Sequence, residues 1–297
     1  MREMQRNRAA LTLPEVILVA AICLIVALFL LSRLPRGREQ ARAVTCLSNL
    51  NQIGQTLGFF VQSEDAYPTV AEWAVPNAEP GTSILFILRN QANLSDFVNV
   101  NSQIDPKSIK KKGERPAVPA GLRCPADRTF GQPAASNYRA NTGADSTGTT
   151  GPFAIGKRIA PAQIESGDGL AFTAAFAERL IGSGTTTPGM ADYVEVDKCD
   201  DFRIETLTSP GAKWRFDAGH DWSRGDWTMS LYQHGIRPNA TNSVVALQER
   251  CANMGSSSGH LGLVHVLLLD GSARSWRTTV DENVWRKLGS FTDAGKP

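Results

Sequence analysis

The stretch Leu11 to Leu31, LTLPEVILVAAICLIVALFLL, constrains this chain more than any other. Between Arg8 and Arg33 the only ionisable side chains are Glu15 and the thiol of Cys23, and Val16 to Leu31 is apolar throughout. Wound as an α-helix at 1.5 Å per residue, the stretch reaches about 30 Å, the thickness of a bilayer's hydrocarbon. The expectation is a single span over 11–32. Within it Glu15 is the anomaly, because a carboxylate in an apolar span costs about 2.5–3.5 kcal/mol on insertion scales and so marks a function.

A short basic leader, MREMQRNRAA, precedes the span. A cut between Ala10 and Leu11 would place a new α-amino group four residues from Glu15. The amine of a neighbouring identical helix could then pair with the carboxylate inside the membrane. These residues, Ala10 to Glu15 followed by the apolar run and then Arg33 to Gln55, resemble the start of a type IV prepilin or pseudopilin. In that family a membrane peptidase cuts before the apolar segment, methylates the new amine and leaves the helix on the mature subunit. The chain departs from the pattern with Ala10 where Gly is usual and with Pro14 ahead of the glutamate. Alanine is also small, and a proline in the first helical turn removes an N–H that has no partner there.

Other readings of the apolar run fit less well. A secretory signal peptide needs a small-residue cleavage site close behind the run, whereas Ala41-Arg42-Ala43 lies beyond a charged stretch. The rival is an uncleaved single-span anchor, which predicts the same membrane placement. Arg33, Arg36 and Arg38 make both flanks positive, so loop charge does not orient the span. The resemblance implies a single-pass inner-membrane protein with its C-terminal domain periplasmic or extracytoplasmic.

Further on, apolar residues at Ala41, Val44, Leu47, Leu50, Ile53, Leu57 and Phe60 recur every three or four positions, a helical stripe. Pro35 and Gly37 predict a kink between span and stripe. The expected layout is a leader over 1–10, a transmembrane helix over 11–32, an amphipathic helix over 33–62 and an α+β domain over 63–297. Ser83 to Val100 reads as a second short helix, and SIKKKGER within 107–115 as a solvated linker. In the last third YVEV, FRIETL and WTMSLY are strand-like. VHVLLL-DG-SARSW reads as a hairpin with a two-residue type I′ turn at Asp270-Gly271, pairing Leu269 with Ser272, Leu267 with Arg274 and His265 with Trp276.

The resemblance extends along the whole chain. The prepilin start, Cys124-Pro125-Ala126-Asp127, Asn137 to Gly143 (NYRANTG), Gly151-Pro152-Phe153, the stretch from Asp168-Gly169 to Glu178, and His260 followed after nine residues by Asp270-Gly271 look like the PulG-like prepilin or pseudopilin family with a C-terminal domain of unknown function (domain family 1559) and an H-x9-D-G motif. The implied fold is pilin-like α+β, a long N-terminal helix packed on an antiparallel sheet. The implied partners are the membrane, a prepilin peptidase and other pilin-like subunits, in a type II secretion or type IV pilus-like system. The implied activity is structural, not enzymatic. The alternative function is an unprocessed anchor whose extracytoplasmic domain binds a polymer or a protein.

Net charge is +2 over 297 residues, so no field favours nucleic acid as a partner. The five cysteines include no C-x-x-C pair and give no zinc signature. With Cys23 in the span, Cys46, Cys124, Cys199 and Cys251 can pair in three ways, and Cys199 with Cys251 is the preferred bridge because both lie near strand-like runs. His260 reads as a hydrogen-bonding loop residue rather than a metal ligand, too far along an extended strand from Asp270 to meet it. Gly255 to Gly259 (GSSSG) carries the letters of a hydrolase elbow, but a strand follows it where a helix is needed, so it reads as a flexible loop. Glu195, Asp197, Asp200 and Asp201 are oxygen donors suited to Ca²⁺, without the spacing of a calcium loop. No other cofactor is expected. His220, Asp221, Asp226 and His234, with Trp214, Trp222 and Trp227, read as a surface loop with aromatic anchors.

Overall fold

The computed structural model describes residues 13–70, 81–91, 117–129, 132–202, 209–246 and 249–291, with the side chains of 27–36, 89–91 and 201 outside the description. Ala10, Leu11, the charged linker and FRIETL from Arg203 onward lie outside the described residues. The chain divides into two compact units, Met1–Arg42 and Ala43–Pro297.

The first helix, α1, runs Leu13–Glu64 as one element of 52 residues, and Pro35 and Gly37 do not end it. In the first unit the large apolar side chains described from Leu13 to Val26 are each 50 to 75 % exposed, so this stretch is apolar on every side. Among the described residues no helix is long and apolar enough to cross a membrane. The last five residues of the apolar run, Ala27 to Leu31, lie among the side chains outside the description.

In the second unit α1 buries Cys46, Asn49, Leu50, Ile53, Thr56, Leu57 and Phe60. Leu50, Ile53, Leu57 and Phe60 of the expected stripe are buried, whereas Val44 is 66 % exposed. Cys46 and Asn49 take the inward positions instead, through a sulfur and an amide that a purely apolar periodicity does not register. Each fully buried leucine or isoleucine here contributes about 1.5–3 kcal/mol.

Among the described residues nine short strands follow: β1 Tyr138–Asn141, β2 Ala174–Glu178, β3 Tyr193–Glu195, β4 Lys213–Arg215, β5 Leu231–Tyr232, β6 Val244–Ala246, β7 Cys251–Asn253, β8 Leu263–Leu268 and β9 Ala273–Arg277. The described residues also form helices α2 Ile84–Gln91, α3 Pro161–Glu165 and α4 Glu282–Gly289. The architecture is α+β with two sheets, ordered β5-β1-β2-β8-β9 and β4-β3-β6-β7. The expected antiparallel sheet is corrected in both, since β1 pairs with β5 and β3 with β6 in parallel.

The larger sheet is covered on both faces. On one face Gly54 of α1 lies so near Leu267 that a Cβ there would stand 2.8 Å from its side chain. On the other, Val264, Val266 and Leu268 pack with Trp285 and Leu288 of α4. Strand β2, all alanine apart from Phe176 and Glu178, is buried along its length, and its small side chains let the layers approach. The outer strands β4 and β9 carry Lys213 and Arg215, and Arg274 and Arg277, charges that discourage pairing with another chain.

The β8–β9 hairpin forms one residue out of the expected register. Leu267 faces Ala273, His265 faces Ser275 and Val264 faces Trp276. Gly271 N donates to Leu268 O at 3.0 Å and Leu268 N to Ser272 O at 2.9 Å, closing a three-residue loop. Only Gly271 takes positive φ, +84°, whereas a type I′ turn needs Asp270 there as well.

Two further readings change. Gly255 to Ser258 are buried, with Ser257 N donating to Glu178 O and Ser257 Oγ accepting from Leu180 N, so GSSSG is a packed inner segment with only Gly259 exposed, and not a flexible loop. The His220 to His234 stretch belongs to the interior too, where Trp222, Trp227 and His234 are fully buried.

Candidate functional site

Cys124, Asn137, Glu178 and His260, from four of the motifs along the chain, meet in one buried centre. A tight turn after Leu122 presents Cys124 to Asp127, and Asn137, one residue ahead of β1, holds that turn. Its Oδ1 accepts from Cys124 N at 3.0 Å, while its Nδ2 donates to Asp127 Oδ2 at 2.6 Å and to Arg179 O at 3.2 Å. Asp127 Oδ2 also accepts from Ile181 N at 2.9 Å, tying the turn to the chain leaving β2. From α1, Cys46 forms a disulfide with Cys124 with Cα atoms 5.3 Å apart. Beside the bridge, Asn49 Nδ2 donates to Tyr138 Oη at 3.2 Å and Tyr138 Oη donates to Cys46 O at 3.4 Å. Burial, and then the nearby Glu178 charge, push the Tyr138 phenol far above its ordinary pKa, so it stays a neutral donor.

Glu178 ends β2 and turns its carboxylate toward the chain entering β8. Its Oε2 accepts from His265 N at 3.0 Å, and its Oε1 lies 3.6 Å from His260 Nε2. His260 Nε2 is in turn 3.4 Å from Cys124 Sγ. The His260 and His265 rings pack at a tilt of 56° with centroids 4.5 Å apart, and His265 Nδ1 is 2.9 Å from Ser275 Oγ. One ligand atom from each of Cys46, Cys124, Glu178 and His260 lies within 4.8 Å of the others, and all four residues are buried. A cleft of about 510 Å³, lined among others by Thr45, Asn49, Arg123, Cys124 and Asp127, opens beside the disulfide.

The family model SBP_bac_10, described as a protein of unknown function (DUF1559), matches residues 35–283 and so includes all of these residues. The chain belongs to the DUF1559 family. No curated protein matches the chain, and no solved structure does. The matched DUF1559 span begins after Glu15, which sits in the first turn of α1.

The other residues singled out in this DUF1559 chain are placed apart. Asp270 is at the hairpin tip, where Oδ1 accepts from Ser272 N and Oδ2 lies 3.7 Å from Arg274. The motif's two ends therefore serve different places, His260 the buried centre and Asp270-Gly271 the turn. Cys199 and Cys251 form the second disulfide, fixing the turn after β3 to β7. Of the acidic group, Glu195 lies 3.8 Å from Arg215 and Asp197 lies 3.4 Å from Lys213, so two of the four carboxylates face cations of β4.

Sequence reasoning named Glu178 and His260 without bringing them together, and it left the Cys46–Cys124 bridge among three possible pairings. The signal was there in part. Cys46 lies at helical spacing from Leu50 and Ile53, and pairing Cys199 with Cys251 leaves it only Cys124. Deeper inside, Arg139 and Arg179 are buried together. Arg179 is lowered to about 10, mainly by burial, and Arg139 falls well below its ordinary value through burial and then the Arg179 charge.

Proposed function

We propose that the chain is a membrane-anchored, pseudopilin-like structural subunit without enzymatic activity. A prepilin peptidase cuts it between Ala10 and Leu11, and it assembles or acts with other pilin-like subunits in a type II secretion or type IV pilus-like envelope system. The supporting observation is the start of α1, apolar on every side with Glu15 in its first turn. A helix of that kind needs apolar surroundings all round, which lipid and neighbouring copies of the same helix supply. Inside them the carboxylate needs a cation, and the new amine of a neighbour is the nearest in kind. The two disulfides accord with a C-terminal domain outside the cytoplasm, where such bonds persist.

N-terminal sequencing of the protein from its native membrane tests the reading. A mature chain beginning at methylated Leu11 is expected, and an intact Met1 overturns the processing step in favour of the plain anchor. The Glu15→Val variant is expected to insert normally and to lose cross-linking between subunits. Unchanged cross-linking removes the pairing role of Glu15.

A further inference from the structure

We propose that Cys46, Cys124, Glu178 and His260 form a metal site that the disulfide closes and reduction opens, with Zn²⁺ as the ion it takes. Two thiolates, an imidazole and a carboxylate are the first-row ligands that zinc favours, and four of them in a closed shell make a structural site. With Zn–S of about 2.3 Å and Zn–N and Zn–O of about 2.0–2.2 Å, the edges of a tetrahedron around zinc are about 3.3 to 3.8 Å. Two of those edges are already in place, Cys124 Sγ to His260 Nε2 at 3.4 Å and His260 Nε2 to Glu178 Oε1 at 3.6 Å. The sulfur pair is held at bonding distance by the bridge, and the other three edges are each no longer than 4.8 Å.

Breaking that bond is a two-electron, two-proton step, and a dithiol reductant supplies both. One of its thiolates attacks Cys124, which lines the cleft, and Cys46 leaves as a thiolate. The second thiolate of the reductant then resolves the mixed disulfide, so Cys124 is freed and the reductant departs as its own disulfide. Zinc replaces the two thiol protons, which pass to solvent, and His260 binds in its neutral form through Nε2. The sulfurs need to separate only from about 2.05 Å to about 3.8 Å, a change that side-chain rotation can absorb across a Cα separation of 5.3 Å.

The partners of the ligands are suited to the task. Glu178 is oriented by the His265 N–H through its other oxygen, and the Cys124 backbone is held by Asn137. Such outer contacts keep a ligand aimed when no ion is present. The site thus has two closed states, cystine and zinc, each fastening α1 to the turn that carries Cys124.

The test uses the full chain in detergent, with Co²⁺ as the spectroscopic probe and a water-soluble phosphine as the two-electron reductant. The reduced chain is expected to bind one equivalent of Co²⁺, with thiolate-to-cobalt charge transfer and intense visible bands of a tetrahedral site, and Zn²⁺ should bleach both. The oxidised chain should show neither. Loss of one ligand in the isosteric Glu178→Gln, and separately in His260→Ala, is expected to weaken binding by at least roughly 10- to 100-fold, the loss already seen for outer-shell partners. The double variant Cys199→Ser/Cys251→Ser should keep the full signal. A reduced chain that binds no cobalt, whether or not it keeps its fold, overturns the proposal. So does a signal that survives both ligand variants or disappears with Cys199 and Cys251. None of these readings depends on processing or on assembly.

Discussion

His234 shows how a single buried ring can set the pH range of the fold. Its Nδ1 lies 2.8 Å from Trp285 O, a group that only accepts, so that nitrogen carries the proton. Nε2, 2.8 Å from Tyr232 Oη, is therefore the acceptor. Burial lowers its pKa to about 3 despite the carbonyl partner, which acts the other way. In the unfolded chain the same ring titrates near its ordinary value of about 6.5. The unfolded state thus binds the extra proton, and the contribution of the neutral ring to stability is full above about pH 6.5 and lost as pH falls toward 3, by up to about 1.4 kcal/mol per pH unit. Denaturant unfolding of wild type and His234→Gln across that window should show a steeper acid-side decline in the wild type. Parallel profiles would mean that the ring contributes no such slope.

Individual elements were legible to different depths. The helix from the apolar run to Glu64 and the strand pair around Asp270-Gly271 follow from spacing and turn chemistry alone. The register did not, because an Asp-Gly pair serves either a two-residue loop or a three-residue one, and packing on both faces of β8 decides between them. Gly271 then becomes the residue with a signed test. At φ +84° with open space around it, Gly271→Ala is expected to cost about 1–2 kcal/mol from backbone strain alone. Gly58, exposed in the middle of α1 with nothing within 4 Å of an added Cβ, gives the opposite sign. There Gly58→Ala should add about 1 kcal/mol. Denaturant midpoints of the two variants check both. The stretch from His220 to His234 misled for a different reason. Asp226 Oδ1 accepts from Thr228 N, Thr228 Oγ1 and Met229 N, so a local turn satisfies the carboxylate and lets a polar stretch sink inside. Periodicity of apolar residues cannot register that.

At the scale of the whole molecule, the buried centre was the least legible part because its members come from distant places in the chain. Cys46 and Cys124 are 78 residues apart, and His260 lies 136 residues beyond Cys124. No local spacing encodes such a meeting; it follows only once α1 lies on the sheet and β2 lies beside β8. The bridge between Cys46 and Cys124 has a mechanical consequence as well. Stretch the chain from its two ends and the load bypasses every residue enclosed by the two sulfurs, so 78 residues cannot pay out however far the rest unravels. At about 3.4 Å per extended residue that hidden length is about 260 Å. Single-molecule pulling should find the reduced chain longer by that amount once the second bridge is replaced by serines, and equal lengths would show that the bridge bears no load. Tension arriving along α1 is thereby handed to the β-domain through covalent bonds, and the stretch between the two sulfurs is spared it.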